Sequence, residues 1–500
     1  MTHLPRHTNV AVVGAGPAGL VAAVTLARSG AEIVVLDKRT RVSDLPRAVG
    51  VTVRQMELFR SWGIEAELRA CADDVDLTLL EVATVAEAGA GVRRRINVPD
   101  HAQSEVVSPT SSVRVAQDDL ERVLLDELLR HPSATVFRGA EITGLEQDAE
   151  GVDLIVSTHQ DSTPGRLRAR FVIGADGARS TVRQLVGIEL VGDPDVMRGV
   201  SAEFRAALWP LLGEHRHALY TVGDPSGAGV LIPAGGGARW QYGVALGPDD
   251  DLDAAAHTSV LTKRIRAAVG VPDLDILITR TSTFVAGAIL AERYSLGRVH
   301  VVGDAAHRVT PRGGNGLAMA VRDGFALGWR LAWVVHNWAP PGFLDTYEEE
   351  MRPLAAADVA RAADPNGGCH TVLTELLHDL GGRVQHAWLP PTGPGETPRS
   401  TLDLISGGLT LLTGAGAPWA DAVTRLSNHP PIHTAVLPPG TLHALGIRPL
   451  GALLVRPDAV PVAHWYLADT LDRAAADLTR AIDDLLAPIA PTDHSPGVTR

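Results

Sequence analysis

The sequence predicts a mixed α/β fold with a Rossmann-like domain, an antiparallel-sheet domain interleaved with it, and a small third α/β domain. Three observations predict this architecture. Short apolar strands run into glycines and acids near residues 14, 174 and 303. Residues 76–112 and 187–288 instead alternate apolar and polar positions between glycine-rich turns. Finally, 500 residues are too many for one ordinary core.

The composition narrows the possible partners. The net charge is −13, and binding to nucleic-acid phosphates requires a concentrated basic face, so no nucleic-acid partner is expected. The two cysteines, Cys71 and Cys369, have no disulfide or metal-ligand spacing. The apolar run Val10–Ala27 contains glycines and a proline, which indicates strand, loop and helix rather than a membrane span. The first residues lack a signal-peptide pattern, and we expect a cytoplasmic enzyme without a metal.

The first motif is a strand, a glycine-rich loop, a helix and a second strand that ends in an acid. This is the context that a dinucleotide-binding fingerprint requires. Gly14 makes the tight turn, Gly16 lets the backbone approach a pyrophosphate, and Gly19 lets the helix pack on the strand. Asp37 can accept a hydrogen bond from a ribose hydroxyl. The loop reads Gly14, Ala15, Gly16, Pro17, Ala18, Gly19.

Basic residues follow this motif. Lys38, Arg39 and Arg47 come soon after the acid, and arginine makes paired contacts with phosphate oxygens. Apolar spacing then predicts a helix over Val53–Trp62 that ends at Gly63. The spacing predicts further elements along the chain. They are a helix over 114–130, two strands over 135–157, a helix over 255–269, and helices from 343 to about 380.

Two later segments repeat the pattern of a strand that ends at glycine and an acid. The first leads into Asp176 and Gly177. The second is the strand Val299–Val302, which stops at Gly303 and Asp304. A glycine-rich turn and a helix of about twenty residues follow it, and the bare N-terminus of that helix suits an anionic ligand. The turn contains Pro311, Arg312, Gly313, Gly314, Asn315, Gly316 and Leu317.

The motifs divide the chain into three predicted domains. The third domain contains a strand followed by Gly414 and Gly416, but Trp419 replaces the third glycine and no acid-ended strand follows, so we reject a second dinucleotide site. The predicted ranges are 1–75 with 113–186 and 289–390 for the first domain, 76–112 with 187–288 for the second, and 395–490 for the third.

Together the three motifs resemble those of the class A FAD-dependent aromatic hydroxylases, which have the para-hydroxybenzoate hydroxylase-like fold. The third domain resembles the thioredoxin-like domain of the larger members that hydroxylate aromatic polyketides in antibiotic biosynthesis. The resemblance implies that the first domain binds FAD and the second binds the substrate. The cofactor-binding residues it implies are Gly14, Gly16, Pro17, Ala18, Gly19, Asp37, Lys38, Arg39, Arg47, Gln117, Asp176, Gly177, Asp304, Pro311, Gly313, Gly314, Asn315, Gly316 and Leu317.

The resemblance also implies a reaction. NADPH or NADH reduces the flavin, O₂ adds to its C4a atom, and the hydroperoxide passes an oxygen atom to a polycyclic phenolic, polyketide-like substrate. Asp304 would bind the ribityl or pyrophosphate end of FAD, and Asp176 with Gly177 would lie near both nucleotides. Such monooxygenases need no protein nucleophile, and no catalytic residue is assigned.

The sequence is compatible with several interpretations. The same scaffold supports Baeyer–Villiger oxygen insertion, and a flavin protein that sequesters a ligand without turnover is a third hypothesis. Ala318 replaces an asparagine of the common family pattern, and Arg312 either holds an acidic substrate or points to solvent. His307 is interpreted as a structural partner of backbone carbonyls rather than a proton shuttle. Three aromatic residues either line the substrate pocket or pack in a core, namely Tyr220, Trp240 and Tyr242.

Overall fold

The computed structural model describes residues 4–43, 48–95, 99–158, 164–364, 372–391, 393, 395, 397–427 and 429–487. The strands are β1 (His7–Val13), β2 (Ile33–Asp37), β3 (Asp76–Val82), β4 (Val92–Arg95), β5 (Ala134–Arg138), β6 (Ala140–Gln147), β7 (Val152–Thr158), β8 (Gly165–Gly174), β9 (Leu190–Arg205), β10 (His217–Val222), β11 (Gly229–Pro233), β12 (Arg239–Leu246), β13 (Leu277–Ala291), β14 (Ser295–Leu296), β15 (Val299–Val301), β16 (His307–Arg308), β17 (Leu409–Gly414), β18 (Ile432–Leu437), β19 (Ala452–Val455) and β20 (Pro461–Trp465).

The α-helices follow the same numbering. They are α1 (Pro17–Arg28), α2 (Val53–Trp62), α3 (Glu65–Ala70), α4 (His101–Val107), α5 (Gln117–Leu129), α6 (Thr181–Leu185), α7 (Trp209–Leu212), α8 (Leu252–Ala255), α9 (Thr258–Val269), α10 (Gly316–Val335), α11 (Asp345–Ala363), α12 (Val372–Leu380), α13 (Trp419–Val423), α14 (Pro439–Ala444) and α15 (Leu471–Leu486). Short 3₁₀ turns cover Val85–Ala90, Gly303–Ala305, Arg312–Gly314, Pro341–Leu344 and Thr401–Leu404.

The first sheet carries the glycine-rich motifs. Its strands lie in the order β14-β15-β8-β1-β2-β5, and β7 adds β6 beside β8. The strands from β15 to β5 are parallel to one another. The residues of these strands are apolar on both faces, as expected for a parallel sheet. Helices α1, α5 and α10 cover one face, and β6 and β7 cover the other. This sheet and α1, α5 and α10 form the largest core of the described residues.

The second sheet is almost entirely antiparallel. Its order is β16-β13-β9-β12-β11-β10-β3-β4, and α9 packs on one face. A third sheet, in the order β18-β17-β19-β20, has β17 and β18 parallel and the next two pairs antiparallel. This succession, with helices after each of the first two strands and α15 at the end, agrees with the thioredoxin-like expectation.

Close packing joins α1 to α10. A Cβ atom at Gly324 would lie 2.3 Å from the carbonyl oxygen of Ala18, and one at Gly328 would lie 2.8 Å from Cβ of Thr25. The two backbones therefore approach more closely than side chains would allow. This contact holds the first turn of α10 beside the loop that precedes α1.

The predicted bounds of α2, Val53–Trp62, are confirmed. The helix ends at Gly63, which has the left-handed conformation. The helix predicted over 255–269 begins only at Thr258, after the separate short helix α8. Three expectations about strands were also wrong. Residues 76–112 are not all strand, because Asp100 and Gln103 form a capping box that begins α4. The second sheet contains one parallel pair, β10 with β3. Residues 135–157 form parts of three strands rather than two, with Gly139 between β5 and β6.

We expect Gly324→Ala to lower the thermal unfolding temperature by about 2–4 °C or more, because the new methyl group would force α1 and α10 apart. Gly440 is also helical, but a Cβ atom there meets nothing within 4 Å. Gly440→Ala should therefore leave the melting temperature unchanged or raise it slightly. Equal melting temperatures for the two variants in differential scanning calorimetry would contradict the packing argument.

Candidate functional site

The site begins where the parallel strands end. Leu36, Val13, Gly174 and Val301 are paired in one row across β2, β1, β8 and β15. Because these strands are parallel and in register, the loops that leave them emerge at the same edge of the sheet. Each of the predicted acids follows directly, so motifs almost three hundred residues apart in sequence become neighbours. The acids are Asp37, Asp176 and Asp304.

A cleft of about 290 Å³ lies at this edge. It brings together most of the residues that the sequence assigned to a dinucleotide, with Lys38 and Arg39 exposed at its rim. Arg47 lies outside the described residues. The predicted residues that line the cleft are Gly14, Gly16, Pro17, Ala18, Asp37, Lys38, Arg39, Gln117, Asp176, Gly177, Asp304, Gly316 and Leu317.

The three fingerprint glycines have different roles in the structure. Gly14 has φ of 107°, and a Cβ atom there would lie 2.2 Å from the carbonyl oxygen of Ala175. Gly19 does not line the cleft, and its Cβ atom would lie 2.0 Å from the carbonyl oxygen of Gly14. Gly16 is different, because a Cβ atom there would meet nothing within 4 Å. The backbone at Gly16 is therefore not packed against another part of the described chain, and it lies open to the cleft.

Two of the acids that line the cleft, Asp37 and Asp176, are held by backbone groups. Asp37 accepts hydrogen bonds from the amides of Ala15 (3.0 Å) and Arg39 (2.8 Å), and Arg138 lies 3.4 Å from it. Oδ2 of Asp176 accepts a hydrogen bond from the amide of Val182 at the start of α6. Oδ1 of Asp176 is buried and has no hydrogen-bond partner among the described residues. A ligand donor in the cleft would satisfy that oxygen.

Two helices point uncapped N-termini at this region. The N-cap positions of α1 and α10 are Gly16, which has no side chain, and Asn315, whose side chain makes no capping hydrogen bond. The amides of the first turns are therefore available, and each helix end carries partial positive charge. Such ends bind phosphate or another anion.

A larger cavity of about 2050 Å³ adjoins the cleft. The turn before α10 forms part of its wall, through Pro311, Arg312, Gly313, Gly314 and Asn315. Ala48, Asp304, Gly316 and Leu317 line both spaces and therefore mark the junction between them. Asp304 is exposed at that junction. A long ligand can thus extend from the cleft into the cavity past Asp304.

Asp323 is a residue of the site that the sequence did not reveal. Its Oδ2 atom accepts a hydrogen bond from the amide of Gly303 at 3.0 Å and lies 2.7 Å from Nε2 of His307, and both side chains are buried. His307 was expected to bind backbone carbonyls, but its partner is this carboxylate. Asp323 on α10 thereby fixes the turn that presents Asp304.

A second ionic cluster joins α10, α11 and α12 at the wall of the larger cavity. The carboxylate of Asp358 is buried, and it contacts Arg322 at 2.8 Å and His378 at 3.0 Å. Burial opposes ionisation, but the hydrogen bond from His378 and the charge of Arg322 hold the pKa of Asp358 to about 2. Arg312 donates a hydrogen bond to the carbonyl of Ala363 at 3.4 Å while also lining the cavity.

One face of the second sheet forms the opposite wall. It is apolar on β3, β10 and β11, at Leu79, Leu219 and Ile232. On β9, β12 and β13 the wall includes a row of polar side chains, in which Glu203 is paired in register with Gln241 on one side and Arg280 on the other. Tyr220, Trp240 and Tyr242 lie in the core of this domain instead and are fully buried.

Comparison with known proteins identifies the family. A family model described as an FAD binding domain matches residues 7–362, and one described as the C-terminal part of aromatic-ring hydroxylases matches residues 378–488. The chain belongs to the FAD-dependent aromatic-ring hydroxylases. The resemblance read from the three motifs is confirmed, and the hydroxylase is an FAD-dependent monooxygenase.

Relatives of the hydroxylase match almost the whole chain. The tetracenomycin B2 monooxygenase-dioxygenase of Streptomyces olivaceus is 30% identical over 96% of this chain and 98% of its own. A putative polyketide hydroxylase of Streptomyces halstedii is 30% identical over 90% and 92%. The crystal structure of aklavinone-11 hydroxylase with FAD and aklavinone superimposes with a TM-score of 0.86 at 27% identity, covering 97% and 100%. The fold class predicted from the sequence is confirmed.

The residues of the hydroxylase fit a bound FAD. The open cradle at Gly16 and the uncapped helix α1 suit its pyrophosphate, and the unpartnered Oδ1 of Asp176 lies in the same cleft. No helix among the described residues is long and apolar enough to cross a membrane. The described residues also contain no cluster of three or more metal-ligating side chains.

We expect Gly16→Val to purify without stoichiometric FAD, because its side chain would fill the space in the cleft that the pyrophosphate would need. Its far-UV circular dichroism should match that of the wild type. Gly236 is the matched control, since a Cβ atom there also meets nothing within 4 Å and it does not line the cleft. If Gly16→Val binds FAD as well as Gly236→Val does, the fingerprint assignment is wrong.

Asp304→Ala should also purify without colour, because the carboxylate lies at the junction of the cleft and the cavity, past which a bound FAD would extend. Asp304 is exposed, so its removal should cost little stability. The control is Asp421→Ala, which removes an exposed acid of the third domain. An Asp304→Ala protein that is yellow and fully loaded, measured by flavin absorbance per chain, would refute the role of Asp304.

Proposed function

We propose that the hydroxylase adds one oxygen atom from O₂ to a polycyclic phenolic substrate of polyketide type, with NADPH as reductant. One observation carries this proposal: a single cavity of about 2050 Å³ extends from the turn before α10 to the face of the second sheet. Pockets for one drug-sized ligand are typically about 300–1,000 Å³, so this cavity has room for a flavin ring and a large substrate together. Relatives named for tetracenomycin B2 and for polyketides support the substrate class.

In this proposal the chain holds FAD along the path from the cleft to the cavity. The cofactor would be held by the predicted residues of the glycine loop, by Asp37, Lys38, Arg39, Gln117, Asp176 and Gly177 in the cleft, and by Asp304 at the junction. When bound, FAD supplies the transfer of electrons from the nicotinamide to O₂. The uncapped first turn of α10 would stabilise negative charge on the reduced ring.

The remaining parts of the cavity would orient the substrate and exclude water. The apolar side chains on β3, β10 and β11 would contact the ring face of the substrate, and the polar row on β9, β12 and β13 would bind its oxygen functions. Ala318 does not prevent flavin binding in this arrangement, because the main-chain donors of α10 remain. The chain needs no nucleophile for this reaction.

We expect NADPH to bleach the flavin under anaerobic conditions much faster when a substrate is present. The substrates to test are aklavinone and a series of hydroxyanthraquinones. In air, the accepted substrate should gain one oxygen atom by mass spectrometry, with one NADPH consumed per product. NADH serves as the comparison for nucleotide choice. A protein that holds FAD but is never reduced by either nucleotide, with any of these compounds, would overturn the proposed function.

A further inference from the structure

A buried arginine in the large cavity is not accounted for by the site described above. The side chain of Arg114 is 6% exposed, and it lines the cavity from the extended segment that precedes α5. Its Nη2 atom donates a hydrogen bond to the carbonyl of Pro233 at 2.7 Å. That bond fixes the guanidinium at the end of β11, next to the apolar part of the sheet wall.

Most of the donors of this guanidinium are unused. A guanidinium carries five N–H donors, and burial without acceptors is costly. Nε lies 3.6 Å from Oδ2 of Asp73, beyond hydrogen-bond distance, and it has no hydrogen-bond partner among the described residues. The hydrogen bond to Pro233 is the only one that its side chain makes within the described part of the chain. A ligand in the cavity would supply the missing acceptor.

The hydroxyl of Ser112 also lacks a hydrogen-bond partner among the described residues. Its Oγ atom is buried, and Ser112 lines the same cavity. Ser112 and Arg114 are two residues apart in extended backbone, where alternate side chains point to the same side. The segment therefore presents two polar groups to one ligand edge.

The charges around Arg114 limit which ligands can bind beside it. Burial lowers the pKa of Arg114 to about 10 although Asp73 opposes the shift, so the guanidinium is protonated at neutral pH. Asp73 does not line the cavity, and it accepts a hydrogen bond from the amide of Gly235 at 3.3 Å. The other charged or titratable groups near this pair are the hydroxyl of Tyr220, Asp119 and Arg239.

We propose that Arg114, with Ser112, binds the phenolic oxygen of the substrate and favours its ionised form. This inference rests on the proposed function and deepens it. Because Asp73 already offsets part of the positive charge, the site suits a phenolate with delocalised charge better than a localised carboxylate. On binding, the phenol loses its proton to water, and the ring becomes more electron-rich and a better acceptor of the oxygen atom. Arg114 is thus a substrate-binding residue that also activates the ring.

The experiment uses alizarin, a dihydroxyanthraquinone, with the FAD-loaded enzyme and without NADPH. The alizarin phenolate absorbs at longer wavelengths than oxidised flavin, so its ionisation can be followed directly during a pH titration. The pKa of bound alizarin should lie at least about one unit below that of free alizarin. Arg114→Met should abolish this shift. Asp73→Asn should increase it, because the opposing carboxylate is lost.

Two further variants keep the result interpretable. Arg114→Met leaves Asp73 buried without its partner, so the double variant Arg114→Met with Asp73→Asn removes both charges and should fold, while also losing the shift. Arg216→Met removes an exposed cation that stacks on Trp209 and does not line the cavity, and it should keep the shift.

The proposal is overturned if wild-type enzyme does not bind alizarin, if it binds alizarin without a shift, or if the double variant keeps the shift. Failure of the proposed function is a separate result, because the titration involves no reduction and no turnover. An enzyme that shifts the pKa of alizarin through Arg114 but is never reduced by NADPH would refute the function and retain the binding assignment.

Discussion

The site depends on the register of four parallel strands. Because Leu36, Val13, Gly174 and Val301 are paired in one row, the segments that follow them must share a single edge of the sheet. No contact between the loops themselves is needed to bring the acids together. Hydrogen bonds of the sheet backbone do so, and they are the same for any apolar sequence in these strands. The chemistry of the site is therefore confined to the few residues after each strand.

The position of α10 depends in turn on small residues. Gly324 and Gly328 allow α10 to approach α1, and Asp323 on the same helix binds the amide of Gly303. One helix thus provides an uncapped N-terminus, a packing surface and the anchor of a neighbouring turn. Asp323, buried beside His307, accepts the hydrogen bond of the Gly303 amide. An apolar side chain at position 323 would leave that amide without a partner.

Local signals predicted most of the fold and most of the residues that meet in the cleft. A periodic stretch and a terminal glycine identify α2, and the glycine loop and acids identify the cleft. Relations between distant residues were not predictable in this way. Nothing near Asp323 or Asp358 in sequence indicates that each contacts a histidine sixteen or twenty residues away. The parallel pairing of β10 with β3 was missed because alternation of apolar residues specifies a strand's faces but not its neighbour's direction.

The two halves of the site use different parts of the chain. The proposed cofactor end relies on backbone amides, glycine conformations and strand ends, so the departures from the family pattern at Arg312 and Ala318 leave its main-chain donors in place. The substrate end relies on side chains projecting from a sheet face, whose pattern of apolar and polar residues is free to change with the ligand. Recognition of the family therefore follows from the glycine motifs. The role that we propose for Arg114 instead depends on its position in the fold, because only the structure shows that its unused donors lie at the wall of the cavity.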